Sequence, residues 1–324
     1  AHYLNNLMKR ILVTYRLLPE AFVSYLNKYE LIFLKEGSFS HKEIIQIIPD
    51  CDALLSMFNF PITKEIIDYG KNLKIISNYG VGFNNIDLIA AKERNIVVTN
   101  TPDPVIEPTA ELAFALMSDL SRNISVCNKK LKSNENIKWG VLENLGVGLW
   151  GKTLGIIGLG RIGKAVAKRA LVAGMKIVYH NRHRISEEEE RMYNATYLSK
   201  EELLQNADYV TIHTPLNENS FHLIDERALS IMKKGSFLIN TARGAVVDEK
   251  ALLRYLECEH IGGAALDVYE NEPNITKGLL LLDNVVLVPH IGTATIFARN
   301  EMSLYAMENI DRFFSNKEVL SRVI

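Results

Sequence analysis

The feature that most constrains how this chain folds is a glycine motif between a short apolar run and an amphipathic stretch. Residues 154–157 read as a buried strand, and Gly158-Leu159-Gly160-Arg161-Ile162-Gly163 follows them directly. Alanine and valine then recur on one helical face over residues 165–170. Glycines at this spacing allow a tight turn, close approach of a pyrophosphate and close helix packing, and the helix N-terminus offers N–H groups to phosphate oxygens. The motif predicts a dinucleotide site formed by Gly158, Gly160, Arg161, Ile162 and Gly163, with a purely structural turn as the alternative.

Short β-branched runs alternate with amphipathic stretches along the chain, which is typical of βα units around a parallel sheet. One series occupies about residues 11–98, and a second runs from residue 154 to about residue 288. A single core usually splits at a length of 324 residues, and a chain with 48% apolar and 23% charged residues can fill two cores. We therefore predict an α/β protein with two Rossmann-like parallel-sheet domains.

The connection between the two series predicts the domain boundaries. Pro102 and Pro104 favour an extended segment, and Pro108 suits the first turn of a following helix. The last helical pattern, about residues 297–314, has no strand left to pair with in the second series, so we expect it to return to the first domain. The substrate domain is then discontinuous, with residues 1–101 and 294–324, and residues 102–293 form the dinucleotide-binding domain.

Charge and cysteine content exclude several classes of protein. With 37 Lys and Arg against 38 Asp and Glu the net charge is -1, which argues against a nucleic-acid or membrane-surface binder. The longest apolar runs are shorter than the roughly 18 residues that cross a bilayer. Three distant cysteines without a CxxC pair indicate neither a disulfide framework nor a metal site, and a reducing cytoplasm fits them best. The seven residues before Met8 lack the long apolar core of a signal peptide, and Met8 is a candidate for the natural start.

The strand after the glycine motif predicts which dinucleotide binds. In NAD-binding sites this strand commonly ends in an acidic residue that binds the ribose hydroxyls. Here it ends Tyr179-His180-Asn181-Arg182-His183-Arg184, without a carboxylate. Arginines at this place favour the 2′-phosphate of NADP, so we expect NADP to be preferred, NAD to remain usable, and Asn181 and Arg182 to contact the cofactor. A basic surface turn in an enzyme that accepts both cofactors is the alternative.

Three further segments carry polar residues after later strands, where ligands bind in open α/β sheets. They are Asn240-Thr241-Ala242-Arg243-Gly244, Asp267-Val268-Tyr269-Glu270-Asn271-Glu272-Pro273 and Pro289-His290-Ile291-Gly292. Together with the glycine motif and residues 78–87, they make nearly the whole chain resemble the D-isomer-specific 2-hydroxyacid dehydrogenases, within them the glyoxylate, hydroxypyruvate and 2-ketogluconate reductase branch. The resemblance implies a flavodoxin-like substrate domain beside the dinucleotide-binding domain.

The resemblance also implies three catalytic residues. Arg243 matches the family arginine, whose planar guanidinium can bind a carboxylate and polarise the neighbouring carbonyl. His290 matches the acid/base that protonates the carbonyl oxygen in reduction. Glu272 matches the partner whose charge favours the protonated imidazole. Each residue alone also has an ordinary structural interpretation, as a surface charge, a loop histidine or a turn.

Further positions follow from the resemblance. The expected cofactor contacts are completed by Thr214, Pro215, Thr241, Asp267, His290 and Gly292. The expected substrate contacts are Arg243, Tyr79, Gly80, Val81, Gly82 and Met57, with Phe58 beside the last. A structural turn is the alternative for the loop 79–82, a turn cap for Asp267, and a core position for Met57.

The expected reaction is reversible hydride transfer between NAD(P)H and a small 2-oxo acid, giving a D-2-hydroxy acid. The resemblance implies a homodimer built through the cofactor domain, with Trp139 in a segment that reaches the partner subunit. Two alternatives stay open. One is a dinucleotide-sensing corepressor-like binding protein of the same fold, and the other is a formate or phosphite dehydrogenase.

Overall fold

The structure is a computed structural model of the chain, and it describes residues 8–57 and 60–324. It divides into two compact units. Unit 1 contains the residues up to 105 together with 293–324, and unit 2 contains residues 106–292. The chain passes from one unit to the other after Val105 and after Gly292.

Strands and helices alternate along both units. The strands are, in chain order, β1 (Lys9–Val13), β2 (Tyr29–Ile32), β3 (Ala53–Met57), β4 (Ile75–Tyr79), β5 (Val97–Thr99), β6 (Thr153–Ile157), β7 (Lys176–His180), β8 (Ala195–Tyr197), β9 (Tyr209–Ile212), β10 (Phe237–Asn240), β11 (Gly263–Leu266) and β12 (Val285–Leu287). The α-helices are α1 (His41–Ile47), α2 (Lys64–Tyr69), α3 (Leu88–Glu93), α4 (Ile106–Arg122), α5 (Ile124–Lys132), α6 (Arg161–Val172), α7 (Glu187–Tyr193), α8 (Lys200–Asn206), α9 (Glu226–Ile231), α10 (Glu249–Glu257) and α11 (Ile296–Phe314). Short 3₁₀ helices cover Pro19–Tyr25, Ile48–Asp50, Gly244–Val246 and Lys277–Leu281.

Unit 1 is built on a five-stranded parallel sheet in the order β2-β1-β3-β4-β5. This is the flavodoxin-like strand order. Every residue of β3 and β4 is buried, as expected for central strands covered on both faces. Helix α11 packs on β4, where the Ser77 hydroxyl donates to the Ala306 carbonyl at 2.8 Å. The last long helix therefore belongs to the first sheet.

Unit 2 is built on a seven-stranded parallel sheet in the order β12-β11-β10-β9-β6-β7-β8. Counted from β6, the order is that of a doubly wound dinucleotide-binding sheet with one further strand. Strands β9, β10 and β11 are buried throughout. The predicted fold class, two Rossmann-like parallel-sheet domains, is confirmed.

The strand order in unit 2 decides which loops become neighbours. Strands β6, β9, β10, β11 and β12 are consecutive in the sheet, so the loops after their carboxyl ends lie along one edge. These loops carry the glycine motif and the three polar segments singled out above. Within the described part of the chain, no helix is both long enough and apolar enough to cross a membrane.

Candidate active site

The glycine loop joins β6 to α6. Two of its glycines are required because a side chain there would collide with neighbouring backbone atoms of the protein. Gly158 has φ +95°, and a Cβ there would lie 2.6 Å from the His213 carbonyl oxygen. A Cβ on Gly163 would collide with the Gly158 carbonyl oxygen. A Cβ on Gly160, in contrast, would meet no protein atom within 4 Å. Packing therefore explains Gly158 and Gly163, whereas Gly160 leaves open space where a pyrophosphate would approach the backbone.

The N-terminus of α6 fits an anionic group. Gly160 is the N-cap residue and has no side chain to bond the first N–H groups of this 12-residue helix. Arg161 is exposed and Ile162 half-buried in the first turn. The Asn181 side-chain oxygen accepts from the Leu159 N–H at 2.6 Å. This oxygen therefore fixes the backbone of the glycine loop.

The basic residues after β7 are not equivalent. The His180 Nδ1 lies 2.9 Å from the Leu198 carbonyl oxygen, and Arg184 forms two bonds to the Glu190 carboxylate at 2.7 and 2.8 Å. Arg182 and His183 are exposed, and the Arg182 side chain makes no hydrogen bond or ion pair with any described residue. Of the two arginines, Arg182 is the one that the fold leaves available to an anion.

A buried hydroxyl without a partner lies after β10. Thr241 is 7% exposed, and within the described residues its Oγ1 has no hydrogen-bond partner. Such an orphaned polar atom normally has a ligand or water to bond. After β9, Thr214 is half-buried and Pro215 is exposed. Together with the open surface at Gly160, these residues fit a bound nicotinamide dinucleotide.

Arg243 is held by the backbone of its own loop. Asn240 ends β10, accepts from the Ala242 N–H at 3.0 Å and donates to the Arg243 carbonyl at 2.9 Å. The Arg243 guanidinium donates to the Ala242 carbonyl at 2.7 Å. Burial lowers the pKa of Arg243, and the nearby charge of Glu272 opposes that shift. The guanidinium is thus a partly desolvated cation next to the Glu272 carboxylate.

Glu272 and His290 form a direct pair. The His290 Nδ1 lies 2.8 Å from the Glu272 Oε2, and the two side chains are 27% and 28% exposed. Burial alone would raise the pKa of Glu272, but the hydrogen bond from His290 and the positive charges of His290 and Arg243 outweigh it, and the pKa is lowered. His290 has φ +52°, a backbone conformation that non-glycine residues keep only when their surroundings enforce it.

Asp267 holds the backbone next to His290 in this conformation. Its two carboxylate oxygens accept from the N–H groups of Ile291 and Gly292 at 2.6 and 2.9 Å. The residue is 1% exposed, and burial raises its pKa despite these bonds and the charge of His290. The structure thus gives Asp267 and Gly292 a clear role in fixing the loop after His290. A contact from either of them to the cofactor stays a prediction.

Apart from Arg243, the predicted substrate residues lie in unit 1, and two of them are core residues. Tyr79 is 1% exposed, and its hydroxyl donates to the Arg299 carbonyl at 3.1 Å. Met57 is 6% exposed at the end of β3. Both side chains face the core, because inward-facing strand residues fill it, and a substrate contact from either residue stays a prediction. Phe58 lies outside the described residues.

The loop after β4 nevertheless presents backbone donors. The Gly80 N–H is already taken by Thr101 Oγ1 at 2.8 Å, so Gly80 has no N–H to offer to a substrate. The N–H groups of Val81 and Gly82 donate to no acceptor among the described residues. The Val81 carbonyl accepts from Asn100 and the Gly82 carbonyl from Asn78. An anion-binding role of this loop thus depends on Val81 and Gly82.

Sequence reasoning did not assign roles to Asn78, Asn100 or Glu249. Buried asparagines at the ends of β4 and β5 hold the loop 80–82 by its carbonyls, and Glu249 bonds the loop that carries Glu272. In the sequence, the only sign of these roles is a polar residue placed next to a strand end or a helix start. No cluster of His, Cys, Asp and Glu suited to a metal ion occurs among the described residues.

A glycine-rich turn open to a pyrophosphate, on the same sheet edge as a guanidinium and an imidazole–carboxylate pair, defines a nicotinamide-dinucleotide-dependent oxidoreductase. Residues 114–292 match the family model described as "D-isomer specific 2-hydroxyacid dehydrogenase, NAD binding domain". The chain belongs to the D-isomer specific 2-hydroxyacid dehydrogenase family, as its resemblance implied.

Several known proteins are similar to this chain over nearly its full length. A glyoxylate reductase from Thermococcus litoralis is 41% identical over 320 residues, which cover 94% of this chain and 96% of the relative. The crystal structure of a glyoxylate reductase from Paecilomyes thermophila has a TM-score of 0.87 at 34% identity, covering 98% of each chain. An NADPH-dependent glyoxylate/hydroxypyruvate reductase from Sinorhizobium meliloti, solved with NADP and malonate, has a TM-score of 0.85 at 30% identity, covering 97% of this chain and 96% of that one.

Proposed function

We propose that the protein reduces a small 2-oxo acid of the glyoxylate, hydroxypyruvate or 2-ketogluconate type to the D-2-hydroxy acid. The observation that carries the proposal is the His290–Glu272 pair at 2.8 Å, beside the partly desolvated guanidinium of Arg243. Such a set suits an anionic substrate whose carbonyl oxygen must be polarised and then protonated. The names of the relatives, glyoxylate reductase and glyoxylate/hydroxypyruvate reductase, support the same substrate class.

Each residue has a separate part in this reaction. When bound, the nicotinamide dinucleotide supplies the hydride. Arg243 binds the substrate carboxylate and the carbonyl oxygen together, which orients the substrate and stabilises negative charge as it develops on that oxygen. His290 gives its Nε2 proton to the oxygen, and Glu272 on Nδ1 fixes the ring and stabilises the imidazolium before transfer. In unit 1, we propose the N–H groups of Val81 and Gly82 as donors to a carboxylate.

The decisive test is steady-state kinetics with glyoxylate, hydroxypyruvate, 2-ketogluconate and pyruvate, each with NADPH and with NADH. Turnover of at least one of the first three with kcat near the common enzyme range of about 1–10³ s⁻¹ is expected. Formate and phosphite belong in the panel. Oxidation of either one, without 2-oxo acid reduction, would identify the competing dehydrogenase. Dinucleotide binding without turnover of any compound would favour the corepressor-like binding protein.

We propose NADP as the preferred cofactor and NAD as a weaker one. Arg182 supports this preference, since it is exposed after β7 and no described residue pairs with it. The NADPH-dependent relative from Sinorhizobium meliloti points the same way.

Arg182→Ala is expected to raise KM for NADPH by about tenfold to hundredfold, because one charge-assisted bond to a phosphate contributes about 1.5–3 kcal/mol. KM for NADH should stay within about twofold, since NADH lacks the 2′-phosphate. Arg184→Ala is the matched control, because Glu190 already holds that guanidinium. Equal effects of Arg182→Ala on both cofactors would contradict the preference.

We propose a homodimer that forms through unit 2. Residues 139–150 expose a set of large apolar side chains, which monomeric proteins rarely leave in one short segment. The most exposed of them are Trp139 (87%), Val141 (91%), Leu142 (81%) and Trp150 (85%). Light scattering during size-exclusion chromatography should give twice the monomer mass of 36.6 kDa. A monomer mass at micromolar concentration would refute the dimer.

We also propose a reducing cytoplasmic location, in keeping with three unpaired cysteines.

A further inference from the structure

A buried carboxylate that takes no direct part in the proposed reaction holds the loop that carries Glu272. Glu249 is the first residue of α10 and is 6% exposed. Its Oε2 accepts from the Glu270 N–H at 3.0 Å, and its Oε1 accepts from the Thr276 N–H at 3.0 Å. The two donors stand at the two ends of the loop 270–276. One carboxylate thus fixes both ends of this loop.

The contact is reciprocal. The Glu270 Oε1 accepts from the Glu249 backbone N–H at 2.8 Å and lies 3.2 Å from the His222 Nε2. Glu249 forms no ion pair with any described residue, so its charge is stabilised by backbone N–H groups and by the N-terminal end of α10. A buried charge held in this way is costly to misplace, because a buried carboxylate oxygen that loses its N–H donor is left unsatisfied.

Glu272 lies between the two fixed ends. Its Oε1 accepts from the Tyr269 N–H at 3.1 Å, and its Oε2 is the atom bonded to His290. The direction of the Glu272 carboxylate therefore depends on the loop conformation that Glu249 sets. We propose that Glu249 is a positioning residue, which acts on the proton donor His290 through Glu272. This inference rests on the proposed function.

Glu249→Gln tests it with a minimal change in shape. An amide has one acceptor oxygen, so one of the two backbone N–H groups loses its partner. We expect kcat for glyoxylate to fall by about tenfold to hundredfold. KM for glyoxylate and the Kd for NADPH should stay within about twofold, because Arg243 and the glycine loop are untouched. Glu257→Gln is the matched control: the same substitution at an exposed position at the end of α10 should leave kcat unchanged.

A second variant covers the case in which Glu249→Gln fails to fold. Thr276 has φ −56°, which suits proline, so Thr276→Pro removes one donor N–H and leaves Glu249 in place. A smaller fall in kcat, with unchanged KM and NADPH affinity, is expected. Circular dichroism and a thermal melt would establish that each variant is folded. A folded Glu249→Gln or Thr276→Pro variant with the kcat of the parent would overturn the inference.

A double-mutant cycle with Glu272→Gln separates positioning from general destabilisation. If Glu249 acts through Glu272, Glu249→Gln should lower kcat less than about twofold in the Glu272→Gln background. The same loss in both backgrounds would assign Glu249 a role independent of the pair and reject the inference alone. Parent-like turnover of Glu272→Gln by itself would instead remove the catalytic pair from the proposed function, and the role of Glu249 with it.

Discussion

Arg243→Ala is expected to lower kcat/KM for glyoxylate by about 10³–10⁴-fold, or roughly 4–5.5 kcal/mol of transition-state stabilisation. The guanidinium is partly desolvated at the end of β10, and its burial lowers its pKa, so a bound carboxylate and a developing oxyanion would interact with it more strongly than in water. The loss should appear in kcat as well as in KM, because the charge on the carbonyl oxygen grows toward the transition state. Initial rates of NADPH consumption measure both quantities.

Two controls make the Arg243 result specific. Arg243→Lys keeps the charge but not the planar fork, and it should recover only part of the activity. Arg254→Ala removes an exposed arginine from α10 in the same unit, where it pairs with Glu226 at 3.2 Å, and should leave kcat/KM unchanged. A loss of less than tenfold for Arg243→Ala, about 1.4 kcal/mol, would show that Arg243 does not bind the reacting group.

His290→Gln is expected to lower kcat by about 10²–10⁴-fold, the usual contribution of a general acid, with a KM change below about threefold. Glutamine keeps a polar side chain of similar size but cannot deliver a proton. The pKa of Glu272 is held below its usual 4.5, so its carboxylate stays charged across the neutral range. The negative charge next to His290 is lost only when the pH falls through that lowered pKa.

His41→Gln is the matched control for His290. His41 also pairs with a glutamate, Glu65 at 2.9 Å, but on the surface of unit 1. Removal of that pair should leave kcat unchanged. If His290→Gln kept kcat within tenfold of the parent, another group would have to supply the proton, and the assignment of His290 as the acid would be abandoned.

Much of the fold follows from local sequence. Buried apolar runs such as β3 and β4 and the glycine loop after β6 are readable because strand burial and turn geometry depend on residues next to one another in the chain. The three catalytic candidates each lie beside a recognisable segment, so their types and order were predictable. Local sequence did not show where burial and hydrogen bonding place the residues near the loop 80–82: Tyr79 and Met57 face the core, and the Gly80 N–H is taken by Thr101.

The residues that hold the site have weaker signals. Asp267 bonds the backbone after His290, Asn78 bonds a carbonyl of the loop 80–82, and Glu249 bonds both ends of the loop 270–276. In sequence each is a single polar residue at a strand end or a helix start, where an ordinary cap is the commoner interpretation. The difference lies in which distant backbone groups each side chain reaches.

The sequence by itself determined the class of fold and the cofactor family, because these depend on periodicity and glycine spacing, and its resemblance to a known family marked Arg243, Glu272 and His290 as the catalytic candidates. Only the tertiary structure decided that Glu272 and His290 meet at 2.8 Å, that Arg184 is held by Glu190 while Arg182 is left exposed, and that Glu249 closes the loop behind the pair. The physical reason is that strand order brings together loops from distant parts of the chain, and each hydrogen bond between them depends on separations of a few tenths of an ångström, which residue patterns do not encode.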